Sequence, residues 1–250
     1  MTLSLSAQNI LGVLLDIEGT TTPIAFVHDV LFPFARAGVR DYLSIHLASA
    51  EVREDVALLR EEYARDVAQQ LGPPALTDSN EPGELDSIVA YIHWLMDRDR
   101  KSTGLKSLQG KIWERGYRDG ALKAEVFPDV PPALERWHHA GLRIAIFSSG
   151  SVLAQKLLFA HTGAGDLSGF FGAYFDTTTG PKTESKSFRR IATELKLNPE
   201  QVLFISDVAT ELDAADDAGM RTALCIRPGN PQQPTADNRP TIETFDEVKD

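Results

Sequence analysis

Ile10-Leu11-Gly12-Val13-Leu14-Leu15-Asp16-Ile17-Glu18-Gly19-Thr20-Thr21-Thr22 is the stretch on which the reading of the chain turns. Six apolar residues stop abruptly at an acid. A run that short, closed by a small polar or acidic residue, marks a strand buried on both faces of a parallel sheet, and ligands bind beyond the carboxyl ends of such strands. The pattern returns downstream. Residues 142–147 end at Ser148-Ser149-Gly150-Ser151, residues 202–205 end at Ser206-Asp207, and residues 222–226 form a further run. Helical stretches over 152–160, 184–197 and 209–218 alternate with them, and Gly219 closes the last as a helix C-cap. This alternation predicts an α/β fold with a doubly wound, mainly parallel sheet of Rossmann type.

Spacing reveals a second unit. A strand-helix-strand unit needs only about 30 residues, and Asp16 and Ser148 stand much further apart. Residues 26–121 are therefore read as a domain inserted after the first strand, with 1–25 and 122–250 forming the core. Within the insertion Val52, Val56, Leu59, Tyr63, Val67 and Leu71 step along one helical face, and Leu85, Ile88, Val89, Ile92, Leu95 and Met96 along a second. Leu105, Leu108, Ile112 and Trp113 supply a third. The insertion thus reads as an all-helical cap that could stand over the strand ends. Residues 227–240, rich in proline and polar side chains, read as a surface loop.

The 250 residues carry 25 Lys+Arg against 36 Asp+Glu, a formal charge of −11 with histidine neutral. That balance argues against nucleic-acid binding, which needs clustered cations to displace counterions. No apolar run approaches the roughly 20 residues of a membrane span, and residues 1–9 lack the basic start of a signal peptide. The single cysteine, Cys225, lies in an apolar run and reads as an inert core thiol. A cytoplasmic enzyme of small-molecule chemistry is the expectation.

Four segments carry that chemistry. Asp16 and Glu18 stand two apart, a spacing that turns extended side chains to one side, so a nucleophilic carboxylate and a protonatable carboxyl could face one reacting group. A solvated turn is the plainer alternative. Ser148 and Ser149 follow the second strand where hydroxyls and N–H groups could gather an anion, or could simply cap a helix. Asp207 could be a metal carboxylate or a cap, and Lys182 a phosphate contact or a surface charge. Taken together they fit one reaction. A carboxylate attacking a phosphate ester, itself of charge about −1.5 to −2, meets repulsion that grows as water leaves, so cations must be present. A divalent ion on Asp16 and Asp207 with Lys182 on the phosphate supplies them, and the two serines hold the equatorial oxygens.

At these residues the chain resembles the haloacid dehalogenase-like phosphohydrolases. Within them, residues 16–26 (DIEGTTTPIAF), 99–110 (DRKSTGLKSLQG), 148–158 (SSGSVLAQKLL) and 227–230 (RPGN) are similar to the enolase-phosphatase branch of methionine salvage. The resemblance implies a Mg2+-dependent bifunctional enzyme. It would enolise 2,3-diketo-5-methylthio-1-phosphopentane and then remove its phosphate to leave the acireductone, acting as a monomer. It further implies that Asp16 attacks phosphorus, that Glu18 is acid and then base, and that Ser148, Ser149 and Lys182 hold phosphate. Asp16, the Glu18 backbone carbonyl and Asp207 would surround the metal. Two features depart from the wider pattern: Glu18 stands where an aspartate is usual, and Val208 follows Asp207 where a second acid is common, so Glu211 or water would complete the surroundings. Lys182 is preferred to Lys186 for its Gly-Pro-Lys-x-Glu setting, and Glu18 is the candidate base for enolisation.

The remaining motifs and the rival functions carry less. The six histidines, His28, His46, His93, His138, His139 and His161, show no metal-ligand spacing, and His138-His139 reads as a helix surface. Residues 104–111 look like a phosphate-binding loop, but five residues separate the glycines and Ile112 replaces the hydroxyl. A phosphatase of another small phosphorylated metabolite is the nearest alternative function. A dehalogenase would need no magnesium, and a phospho-acceptor switch would need no cap.

Overall fold

The computed structural model describes residues 3–231 and 239–249. The strands are β1 (Leu3–Ser4), β2 (Gly12–Leu15), β3 (Arg143–Phe147), β4 (Ala173–Phe175), β5 (Val202–Ser206), β6 (Arg221–Cys225), β7 (Thr241–Ile242) and β8 (Val248–Lys249). The helices are α1 (Phe32–His46), α2 (Ala50–Ala68), α3 (Glu84–Met96), α4 (Thr103–Arg118), α5 (Val130–His139), α6 (Val152–Ala160), α7 (Ser185–Glu194) and α8 (Ala209–Asp217). They divide into two compact units, Met1–His28 with Lys123–Asp250, and Asp29–Leu122.

In the first unit six strands form one parallel sheet in the order β4-β3-β2-β5-β6-β7, with helices on both sides: the α/β, doubly wound architecture. β1 and β8 make a separate parallel pair. Every residue of β2 is buried, which is why its sequence shows no polar alternation. Phe147 meets Phe188 edge-on and Phe188 meets Phe204 at a tilt, with ring centroids 5.4 and 5.0 Å apart. Gly219 has φ of +92°, so the turn out of α8 is one that a side chain would strain.

The four expected strands and three expected helices are present, with shifted ends. Residues 142–147 begin their strand one residue later, and the first strand starts at Gly12, two residues into the apolar run. The helix expected over 184–197 is shorter, Ser185–Glu194. β4, β7 and α5 were not expected; the two strands are too brief to show a period. Cys225 is buried, and burial pushes its thiol up to about 12. His138 and His139 end α5, exposed.

The second unit is all helical, with four helices where three were expected; α1 follows a π-helical turn, Phe26–Leu31, that begins in the first unit. Residues 104–111 lie inside α4 and so form no phosphate loop. α2 buries a stripe of Val52, Asp55, Val56, Leu59, Glu62 and Asp66. Val67 and Leu71, placed on the apolar face by periodicity, are instead 49% and 44% exposed. The face has turned toward three carboxylates that are held by two cations. Asp55 pairs with Lys111, and Arg100 reaches Glu62 at 3.0 Å and Asp66 at 2.9 Å. Ser102 caps α4 by accepting from the Leu105 N–H.

The loop expected over 227–240 is described only in part, since 232–238 lie outside the described residues. Its start differs from expectation, because Arg227 is buried, at 3% exposure.

Candidate active site

The sheet register sets the site. Leu15 of β2 pairs with Ile146 of β3 on one side and Ile205 of β5 on the other. The residues that follow, Asp16, Ser148 and Ser206-Asp207, therefore leave three adjacent strands along one edge. The Asp16 N–H donates to the Ile205 carbonyl at 3.0 Å, prolonging the ladder by one bond. The chain then turns tightly: the Thr20, Thr21 and Thr22 N–H groups all reach the Ile17 carbonyl, and the Gly19 N–H returns to the Thr22 carbonyl at 2.8 Å. Gly19 has φ of +71°, and a Cβ there would lie 2.4 Å from Asp207 Oδ2. Only glycine meets both demands.

Asp16 is buried at 5% exposure and held on both oxygens. Oδ1 accepts from the Ile17 N–H at 2.8 Å and from Lys182 Nζ at 2.7 Å, and Ser206 Oγ donates to Oδ2 at 3.2 Å. Lys182 also reaches Glu211 at 2.5 Å and lies 5.9 Å above the rings of Phe147 and Phe204. Burial alone would lower its pKa, but Asp16 and Glu211 outweigh it and keep the ammonium charged. Lys186 pairs with Glu184 in solvent. Of the two lysines weighed, Lys182 is the one brought to Asp16.

Asp16 and Glu211 thus share one ammonium, and Asp207 lies near them with no ion pair of its own among the described residues. Asp207 receives only the Asn230 amide, at 3.3 Å, among its side-chain donors from other described residues. Burial first, and then the charge of Asp16, pushes Asp207 up to about 7. Burial and Asp16 likewise raise Glu211. This excess of negative charge is what a divalent cation would offset, and carboxylate oxygens suit a hard one. Among the described residues no cluster of three or more His, Cys, Asp or Glu side chains could hold a metal alone. Asp16 and Asp207 would supply two ligands, leaving backbone oxygen and water for the rest, as is usual for Mg2+. The residues present fit the ion on these terms.

The other expected residues sit differently. Glu18 is 42% exposed and bonds His28 Nε2 at 2.7 Å, so it faces a histidine and solvent more than Lys182. Ser148 is buried, and its Oγ accepts from the Gly150 N–H at 3.3 Å. Ser149 is exposed. The helix cap in this segment is Ser151, which accepts from the Ala154 N–H at 3.3 Å. Glu211 bonds Lys182 and Ser206.

His28, Ser206 and Asn230 were not picked out by sequence reasoning. Ser206 stood beside Asp207 in the quoted motif, but a buried strand-end serine has no signature that separates it from core. Asn230 lay within RPGN, a stretch noticed only through resemblance.

A parallel sheet with an acid at the end of its central β2, a lysine on that acid and a second acid at the end of the adjacent β5 points to a hydrolase class. A family model for haloacid dehalogenase-like hydrolases matches residues 10–219. The enolase-phosphatase E1 of Synechococcus elongatus is 54% identical over 96% of this chain and 98% of its own. That of Danio rerio is 46% identical over 87% of this chain and 85% of its own. The crystal structure of the UTR4 protein from Saccharomyces cerevisiae superposes with a TM-score of 0.77, at 33% identity, covering 95% of this chain and 99% of that one. The chain belongs to the haloacid dehalogenase-like hydrolases, on their enolase-phosphatase E1 branch. Members are generally metal-dependent. Among the described residues no helix is long and apolar enough to cross a membrane.

Proposed function

We propose that the chain is a bifunctional enolase-phosphatase that converts 2,3-diketo-5-methylthio-1-phosphopentane to 1,2-dihydroxy-3-keto-5-methylthiopentene and phosphate. The observation that carries this reading is the buried Asp16 carboxylate, 2.7 Å from Lys182, with buried Asp207 at the end of the adjacent strand.

In the first half-reaction Glu18, half exposed and bonded to His28, takes the proton from the carbon beside the carbonyl, and a proton from solvent goes to the enolate oxygen to give the enol. In the second, an Asp16 oxygen forms a bond to phosphorus as the ester oxygen leaves, and Glu18 gives its proton to that oxygen. Glu18 then deprotonates water, whose oxygen attacks the aspartyl-phosphate, releasing phosphate and restoring Asp16. Lys182, with Ser148 and Ser149, holds the phosphoryl oxygens; for this Lys182 exchanges one of its two carboxylate contacts for the substrate. Asp16, Asp207 and the Glu18 carbonyl would hold Mg2+, which would supply charge neutralisation when bound. The helical unit as a substrate-recognising cap, a cytoplasmic location and a monomeric state belong to the same proposal.

The test is to supply the diketo phosphate with Mg2+ and follow enol absorbance and phosphate release together. The enol should rise and fall as phosphate appears. Phosphate without an enol phase reduces the function to that of a phosphatase for another small metabolite, and no phosphate at all overturns it.

A further inference from the structure

Three segments meet at one side chain. The Asn230 Nδ2 donates to the Gly19 carbonyl at 2.7 Å and to Asp207 Oδ2 at 3.3 Å. An amide nitrogen has two protons, so both are used. Positions 19, 207 and 230 are remote in sequence, and the packing between them is tight enough that a Cβ on Gly19 would lie 3.0 Å from that nitrogen.

The base of the same turn is anchored independently. Arg227 is buried with Nε donating to the Thr20 carbonyl at 3.0 Å, and Nη1 donating to Asp129 at 2.9 Å and to the Glu243 carbonyl at 3.0 Å. Its guanidinium lies between two rings, 4.4 Å from the centre of Phe127 and 4.7 Å from that of Phe245. Asp129 is fixed in turn by the Phe245 N–H at 2.6 Å. Arg227 therefore ties the turn to the loop that follows Asp16, and Asn230, three residues on, is delivered to Asp207 on a braced backbone.

We propose that Asn230 is a positioning residue for the metal: it fixes the rotamer of Asp207 against the Gly19 backbone, so that this carboxylate meets the cation already oriented. The alternative is that Asn230 only fastens the turn. The two differ in what its removal changes. A carboxylate that loses its orienting donor binds metal about 10- to 100-fold more weakly, whereas a lost fastening lowers stability and leaves affinity alone. The proposal rests on the reading of Asp16 and Asp207 as metal ligands.

The test is calorimetric titration of the metal-free protein with Mg2+, together with Asn230→Ala and the shape-matched Asn230→Leu, folding being checked by circular dichroism. Both variants should bind Mg2+ at least 10-fold more weakly. Raising Mg2+ should restore their rate of phosphate release, with the KM for the phosphate substrate little changed. Affinity within twofold of wild type in either folded variant overturns the role of Asn230. A wild-type protein that takes up no Mg2+ overturns the metal reading beneath it, a separate failure visible in the same titration.

Discussion

Lys182 is one charge set between two acids, and its neighbourhood defines what single substitutions should do. Asp16→Asn keeps the shape and the bonds to Ile17 and Ser206 but removes the nucleophilic anion; phosphate release should fall by about 10^4-fold or more, the scale of lost nucleophiles elsewhere, while the fold survives. Phosphate appearing at the parental rate would exclude attack by Asp16. Glu18→Gln should slow both enol formation and phosphate release, each read in the coupled assay; an enol phase at wild-type speed would place the enolisation base elsewhere, with His28, 2.7 Å from Glu18, the first to test. At this scale Asp16 and Asp207 were legible because each follows closely on an apolar run, and Lys182 through its Gly-Pro-Lys-x-Glu setting. The partners of Glu18 and Asp207 were not, since His28 and Asn230 are set by turns whose direction no periodicity records.

At the scale of elements the helical unit shows why pattern reading ran out. α2 was expected to bury Val67 and Leu71, yet it buries Asp55, Glu62 and Asp66 in ion pairs, and hydropathy counts such positions as surface. The link between α2 and α3 is of the same kind. Glu84 is buried at 5% exposure and meets Arg53 at 2.6 Å, Arg60 at 3.1 Å and the Asn80 N–H at 2.9 Å. Burial alone would raise its carboxyl, but Asn80 and the two arginines outweigh burial and hold it below the ordinary value. A carboxyl lower in the folded than in the unfolded chain stabilises the fold above the unfolded value, about 4.3, and loses that contribution as pH falls through the folded value. Glu84→Gln should therefore cost about 1–3 kcal/mol at pH 7, and the cost should shrink below pH 4 in denaturant titrations. A penalty that stays constant down to pH 3 would show that the charge is not what matters.

For the whole molecule, the α/β class was readable from the alternation of short apolar runs with helical stretches. The order of the sheet was not, because nothing local states that β2 lies between β3 and β5. That placement is what concentrates negative charge around Asp16. With its pKa raised, Asp207 binds more protons folded than unfolded between about 3.9 and the folded value. The metal-free protein thus loses stability from this group as pH rises toward 7, and a cation must compete with a proton below it. Added Mg2+ should raise Tm more at pH 8 than at pH 6, and Asp207→Asn should abolish the difference. Equal shifts at the two pH values would separate Asp207 from the metal.

The central place of β2 also bears on how the chain is made. Both of its neighbours in the sheet, β3 and β5, lie beyond the entire helical unit. At ribosomal speeds of about 5–20 residues per second, a fully apolar strand waits roughly 6 to 26 s for its first pairing partner, while the four helices between can already collapse on their own short-range contacts. The nascent protein therefore carries a bare, aggregation-prone segment for about half of its synthesis, and chaperone supply should govern its yield more than the stability of the finished fold does.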